Sequence, residues 1–165
     1  MGALSTGKAA PDFSLRSLEG NQFSLQEALA RGPVVVAFFK ISCPICQYAF
    51  PFLERLFNAY GNKHVTLVGI SQNNARDTNA FNSEFGITFP TLLDDTQSYP
   101  VSNAYGLTNV PTIFWIAQDG TIEISSVGWI RADVEAIGRR MAEAAAAKPL
   151  PLFKPGEQIA DFRAG

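Results

Sequence analysis

The sequence predicts an α/β fold in which a mixed central β-sheet is flanked by helices. Residues 34–39 are a continuous apolar run rich in β-branched and aromatic residues, the pattern of a strand covered on both faces, and residues 65–70 read as a second buried strand. Segments with apolar residues three and four apart separate these runs, so strand and helix alternate as they do in parallel crossovers. Near the end, Gln118-Asp119-Gly120 stands between two extended segments and is a hairpin signal, which makes the sheet mixed.

Taken in order, Asp12-Phe13-Ser14-Leu15 alternates polar and apolar residues as a short strand does, and Glu19-Gly20-Asn21 reads as a turn. Ser24 is placed to cap a short helix over 25–30, which Gly32-Pro33 ends. From Pro44 onward, Ile45, Tyr48, Ala49, Phe52, Leu53, Leu56, Phe57 and Tyr60 line one face of a helix closed by Gly61-Asn62. Asp77 is read as the cap of the next helix, which carries Ala80, Phe81 and Phe85 and stops at Gly86. Residues 88–93 return to extended structure, 101–105 form a short helix, and 112–117 pair through the hairpin with 121–127. Residues 131–147 are an alanine-rich helix with Val134, Ile137, Met141 and Ala145 on one stripe. In 148–165, Pro149, Pro151 and Pro155 forbid a regular helix. Leu150, Leu152, Phe153 and Phe162 are candidates to pin that tail to a groove; docked and disordered tails are equally open. The expected organisation is one domain over 1–147 and a Pro-rich C-terminal tail over 148–165.

Of the 165 residues, 47% are hydrophobic and 17% charged, and 13 Lys+Arg against 15 Asp+Glu leave a net charge of −2. A chain of this length buries roughly 70% of its unfolded surface and needs neither disulfides nor metals to build a core. No basic cluster exists to neutralise phosphates, so nucleic acid is not an expected partner. The longest apolar run has six residues against the ~20 that span a bilayer, and no membrane association is expected. Residues 1–10 carry one Lys and no apolar run, neither a secretory signal nor an anchor. A cytoplasmic protein is expected; a periplasmic form trimmed of its leader would read the same.

The two cysteines, Cys43 and Cys46, are too few for a disulfide scaffold. They fall where a buried strand passes into a helix. The free N–H groups and positive dipole end of a helix's first turn stabilise a thiolate, so Cys43 reads as the attacking thiol. Cys46, one turn further in, is within reach to resolve a mixed disulfide, and Pro44 suits a turn in which its missing N–H costs nothing. Two small core residues can fall three apart by chance, but the strand-to-helix setting favours chemistry. A zinc site needs three or four ligands, and the sole histidine, His64, lies beyond the helix as a surface residue. No metal or other cofactor is expected.

The run 34–39 followed by Cys43-Pro44-Ile45-Cys46 resembles the strand and active-site helix of the thioredoxin superfamily. Gly106-Leu107-Thr108-Asn109-Val110-Pro111-Thr112 is similar to its cis-proline loop, and Pro51 matches the proline within its active-site helix. Gly7-Lys8-Ala9-Ala10-Pro11-Asp12-Phe13-Ser14-Leu15 and Phe85-Gly86-Ile87-Thr88-Phe89-Pro90-Thr91-Leu92-Leu93-Asp94 narrow the likeness to the alkyl hydroperoxide reductase and thiol-specific antioxidant (redoxin) branch, closest to TlpA-like thiol-disulfide oxidoreductases. The resemblance covers about residues 7 to 147. It implies a thioredoxin-like fold with an N-terminal β extension and a central α/β insertion. It also implies that Pro111 is cis and faces the dithiol, that the Val110 backbone pairs with an extended substrate, and that Pro44 and Ile45 flank it.

The peroxiredoxin pattern Pro-x-x-x-Thr/Ser-x-x-Cys would place Pro at 39 and Thr or Ser at 43, where this chain has Phe39 and Cys43. Arg131, a conceivable peroxide-activating cation, reads as a solvated charge opening the last helix. The expected function is therefore dithiol-disulfide exchange with protein or small-molecule substrates and a thiol reductant as donor. A thiol peroxidase and a non-catalytic binding module are the alternatives. Thioredoxins carry a buried acid where this chain has Ala37, TlpA-like proteins often a glutamate where it has Ala49, and the usual Trp before the first cysteine is Ser42. No proton shuttle is assigned, and Lys40 is read as a solvated lysine.

Overall fold

A computed structural model describes residues 2–61 and 64–165. The chain opens with a hairpin of β1 (Ser14–Arg16) and β2 (Gln22–Ser24), paired antiparallel around the expected turn. α1 (Leu25–Arg31) follows directly, and the Ser24 hydroxyl accepts from the Glu27 N–H at 3.3 Å, as the cap reading required. β3 (Val34–Phe39), α2 (Pro44–Tyr60), β4 (Thr66–Ser71), α3 (Ala75–Phe85) and β5 (Thr91–Leu93) give the alternating part. α4 (Pro100–Ala104), β6 (Thr112–Ile116), β7 (Ile122–Val127), β8 (Trp129–Ile130), α5 (Arg131–Ala144) and β9 (Phe162–Arg163) complete it.

The central sheet has the order β5-β4-β3-β6-β7. β3 runs parallel to β4 and β4 to β5, whereas β6 is antiparallel to both β3 and β7. The sheet is mixed, as the hairpin signal predicted. β3 explains why its sequence shows no alternation: Val35, Ala37 and Phe39 enter a core with α2, α3 and α5, while Val34, Val36 and Phe38 enter a second core with α1 and Tyr105. Every β3 side chain is buried, so neither face tolerates a polar residue. The N-terminal hairpin binds the sheet margin through a bridge from Ser17 to Leu92, and Ala9 bridges Thr121.

Three local expectations need correction. The cap of α3 is Asn74, whose Oδ1 accepts from the Asp77 N–H at 2.8 Å; Asp77 sits inside the first turn, where its charge faces the positive end of the helix. Residues 22–24 form a strand that the sequence reading left out, because three residues carry no measurable periodicity. In 148–165, Leu152 and Phe153 pack against the core, but Leu150 is 59% and Phe162 61% exposed. Ile159 and Ala160, not singled out from the sequence, also pack against the core. The expected closure of α2 at Gly61-Asn62 lies partly outside the described residues; the Gly61 N–H bonds Phe57 O at 2.7 Å.

The segment 148–165 has almost no regular structure, yet partners hold it along its length. Tyr60 OH accepts from the Leu150 N–H at 2.7 Å, and Arg55 donates to Leu152 O at 3.0 Å and, in fork geometry, to both carboxylate oxygens of Glu157 at 2.8 and 2.6 Å. Arg55 thereby holds the Glu157 carboxyl down at about 2, helped by the Lys154 N–H. Phe153 stacks edge-on to Phe52 and near Trp129, with the Arg131 guanidinium 4.8 Å above its ring. Trp129 donates to Ala160 O at 2.6 Å, and the Ala160 N–H reaches Tyr48 OH at 3.2 Å.

Candidate active site

The site forms where β3 ends. Its last residue, Phe39, is locked in the core, and the chain turns through residues 40–43 before α2 begins. Two amide side chains fix that turn: the Ile41 N–H donates to Asn73 Oδ1 at 3.0 Å, and Gln47 Nε2 donates to Ile41 O at 3.0 Å. Cys43 is the N-cap of α2, with extended backbone at φ −85° and ψ 113°, and Pro44 occupies the first helical position. The cysteine plays the part a serine or aspartate usually plays: its Sγ accepts from the Cys46 N–H at 3.1 Å. The helix therefore presents a backbone donor to the sulfur itself.

On its other side the Cys43 thiol donates to Val110 O at 3.4 Å, and the Val110–Pro111 peptide bond is cis. Thr112 Oγ1 donates to Asn109 O at 2.7 Å and the Gly128 N–H to Pro111 O at 2.8 Å, which fixes this loop opposite the helix. Cys43 is half-buried; Cys46 has no exposed surface. Burial pushes the Cys46 thiol well up from its ordinary value, and the neighbouring Cys43 adds to the shift, so Cys46 remains a protonated thiol while the pair is reduced. Ala37 and Ala49 are fully buried and bring no acid near it.

The Cys43 sulfur borders a cavity of about 450 Å³ lined by Lys40, Pro44, Gln72, Leu107, Asn109 and Val110 among others. Of the residues singled out from the sequence, Cys43, Pro44 and Val110 meet there. Pro111 is buried behind Val110, Ile45 is half-buried against the core, and neither lines the cavity. Lys40 is exposed but does belong to the lining. Arg131 stacks on Phe153 and lies 3.5 Å from Glu135, and it is not part of the lining. His64 is exposed, as expected. The sequence reading missed Gln47, Gln72 and Asn73. The last two follow β4, and the carboxyl end of a strand neighbouring the catalytic one was the available signal. Gln72 is buried and donates to Ser102 Oγ at 2.9 Å, and Ser102 in turn donates to Asp94 at 2.7 Å. A larger cleft of about 690 Å³, lined by Arg31, His64, Trp115, Glu123 and Arg140 among others, contains neither cysteine.

Known proteins share the fold. The solution structure of a thiol:disulfide interchange protein from a Bacteroides species matches 82% of this chain and 90% of its own, with a TM-score of 0.71 and 25% identity. The thioredoxin domain of a thiol-disulfide oxidoreductase from Bacteroides vulgatus matches 84% and 98%, with a TM-score of 0.74 and 24% identity. Among sequences, thiol-disulfide oxidoreductase ResA of Geobacillus thermodenitrificans is 30% identical over 73% of this chain and 68% of its own length. Thioredoxin-like protein YneN of Bacillus subtilis is 30% identical over 74% and 71%. With the dithiol at the head of α2, this makes the chain a thiol-disulfide oxidoreductase of thioredoxin-like fold, acting on protein or small-molecule thiols and disulfides. More particularly, the chain belongs to the AhpC/TSA family, whose sequence profile matches residues 6–125. Among the described residues, no helix is long and apolar enough to cross a membrane.

Proposed function

We propose that Cys43 is the attacking and Cys46 the resolving thiol of a dithiol-disulfide exchange. The observation that carries this assignment is the Cys46 N–H aimed at the Cys43 sulfur, which is half-exposed beside a cavity while Cys46 is sealed behind it. The Cys43 thiolate attacks one sulfur of a substrate disulfide; a mixed disulfide forms and the other substrate sulfur leaves as a thiolate. Cys46 then gives up its proton and attacks Cys43, which releases the second substrate thiolate and leaves the Cys43–Cys46 disulfide. Two electrons pass to the substrate, and a thiol reductant of small or protein type, as a cytosolic setting supplies, returns the pair to the dithiol.

Val110 and Pro44 border the attacking sulfur and would orient the substrate bond. Loss of the Cys46 proton is the unfavourable step, because the thiol is buried without an acid or base at position 37 or 49. A Cys46→Ser variant performs the first attack and cannot complete the second. Mass spectrometry after mixing it with a disulfide probe should find a stable adduct on Cys43; no adduct overturns the assignment. The reduction potential of the pair then gives the direction of electron flow, with ~30 mV equal to a tenfold change in equilibrium constant.

A further inference from the structure

The segment that the sequence left without a role ends its path at the active site. Phe162 and Arg163 pair antiparallel with Ile130 and Trp129, and the chain then reaches the cis-proline loop, where Asn109 Nδ2 donates to Gly165 O at 3.2 Å. Beside this bond the close approaches are backbone against backbone. A Cβ on Gly128 would meet Arg163 O at 2.7 Å and Gly165 N at 3.0 Å, and one on Gly165 would overlap Val110 O. Gly128 has φ +78°, so the position favours glycine on both counts. Gly165 also borders the cavity shared by Cys43, Pro44 and Lys40.

A substrate that adds as a strand needs the edge groups of its host free. Here the Val110 carbonyl receives the Cys43 thiol, and residues 163–165 lie along Val110 and Gly128 where such a strand would continue. The segment is also fastened to the helix that carries the dithiol: Tyr48 of α2 accepts from Ala160 and lies 4.8 Å beneath the Arg163 guanidinium.

We propose that residues 162–165 determine which disulfides reach Cys43. They fill the end of the groove that an extended polypeptide would use and leave open the cavity beside Lys40 and Leu107, which admits small disulfides. Small-molecule disulfides are thus the favoured substrate class, and extended peptides react only as the segment lifts. The inference rests on the exchange chemistry proposed for the Cys43–Cys46 pair.

The test mixes reduced protein with hydroxyethyl disulfide, or with a linear decapeptide whose central cysteine is in mixed disulfide with glutathione. Formation of the Cys43–Cys46 disulfide is followed by acid quench and mass spectrometry. Removing residues 162–165 should raise the peptide rate several-fold relative to the small-disulfide rate. Phe162→Pro with Arg163→Pro, which removes the Arg163 N–H from the pairing with Trp129 without shortening the chain, should do the same. Thermal unfolding checks that each variant folds; all the residues altered are exposed. A ratio unchanged in both variants overturns the role of the segment while the exchange chemistry stands. An unaltered protein that forms no Cys43–Cys46 disulfide with either probe overturns the exchange chemistry, and the inference with it.

Discussion

The first turn of α2 and the segment 148–165, which is held against that helix, are ordered by opposite means. At the first turn most constraints come from within a few residues: Cys43 caps Cys46, Pro44 starts the helix, and Gln47 reaches back to Ile41, with Asn73 and Val110 as distant partners. Along 148–165 the constraints come from far away in sequence, through Arg55, Tyr60, Tyr48 and Trp129. Local chemistry places a reactive group reproducibly with few contacts. Distant side chains can order a segment that has no propensity of its own, provided enough of them converge to offset its conformational entropy.

The sharpest way to separate the two regions is to damage each in turn. Cys43→Ser should reduce disulfide exchange to the uncatalysed rate, measured with hydroxyethyl disulfide, and leave the denaturant midpoint nearly unchanged, because the first turn supplies chemistry rather than stability. Phe153→Ala should do the reverse. Losing its stack with Phe52, Trp129 and Arg131 should cost about 2 kcal/mol in urea unfolding, below the fully buried Phe→Ala range because Phe153 is only half-buried. Alkylation adds a distinction between the two thiols. Iodoacetamide should label Cys43 in the folded reduced protein and spare Cys46 until the protein unfolds, as peptide mapping would reveal.

The smallest effect belongs to pH. Glu157 has its carboxyl at about 2 against an ordinary 4.5, so its ionised form stabilises the docked segment. That contribution is complete above about pH 4.5 and falls away as the pH drops toward 2. Trp129 fluorescence should therefore report loosening of the segment across that interval, and Arg55→Ala should abolish the dependence. A transition that persists in Arg55→Ala would assign it to another carboxylate.

The same contrast explains what could be read from the sequence. The run 34–39 and the helix from Pro44 were legible because burial on two faces and on one face leaves different apolar periods. The dithiol was legible because its residues lie within one helical turn in the sequence, and Val110 because the loop resemblance located it. Gln72 and Asn73 were not, since polar residues after a strand acquire a role only when α4 and the turn before α2 pack beside them. In 148–165 hydrophobicity identified Leu152 and Phe153 but misassigned Phe162. Pairing of Phe162 with Ile130 uses its backbone and leaves its ring outside. Which apolar residue of an irregular segment turns inward depends on where distant hydrogen-bond partners catch its main chain.

Those partners bond peptide groups: Tyr60 OH accepts from the N–H of Leu150, Arg55 donates to the carbonyl of Leu152, Trp129 donates to the carbonyl of Ala160 while Tyr48 OH accepts from its N–H, and the Arg131 N–H donates to the carbonyl of Asp161. Every residue except proline offers the same N–H, and every residue the same carbonyl. The hydrogen bonds at these places therefore survive a change of side chain, and packing, as at Leu152 and Ala160, is what restricts the residue there. Selection could then remodel the rim of the catalytic groove, one side chain after another, without disturbing the fold beneath it.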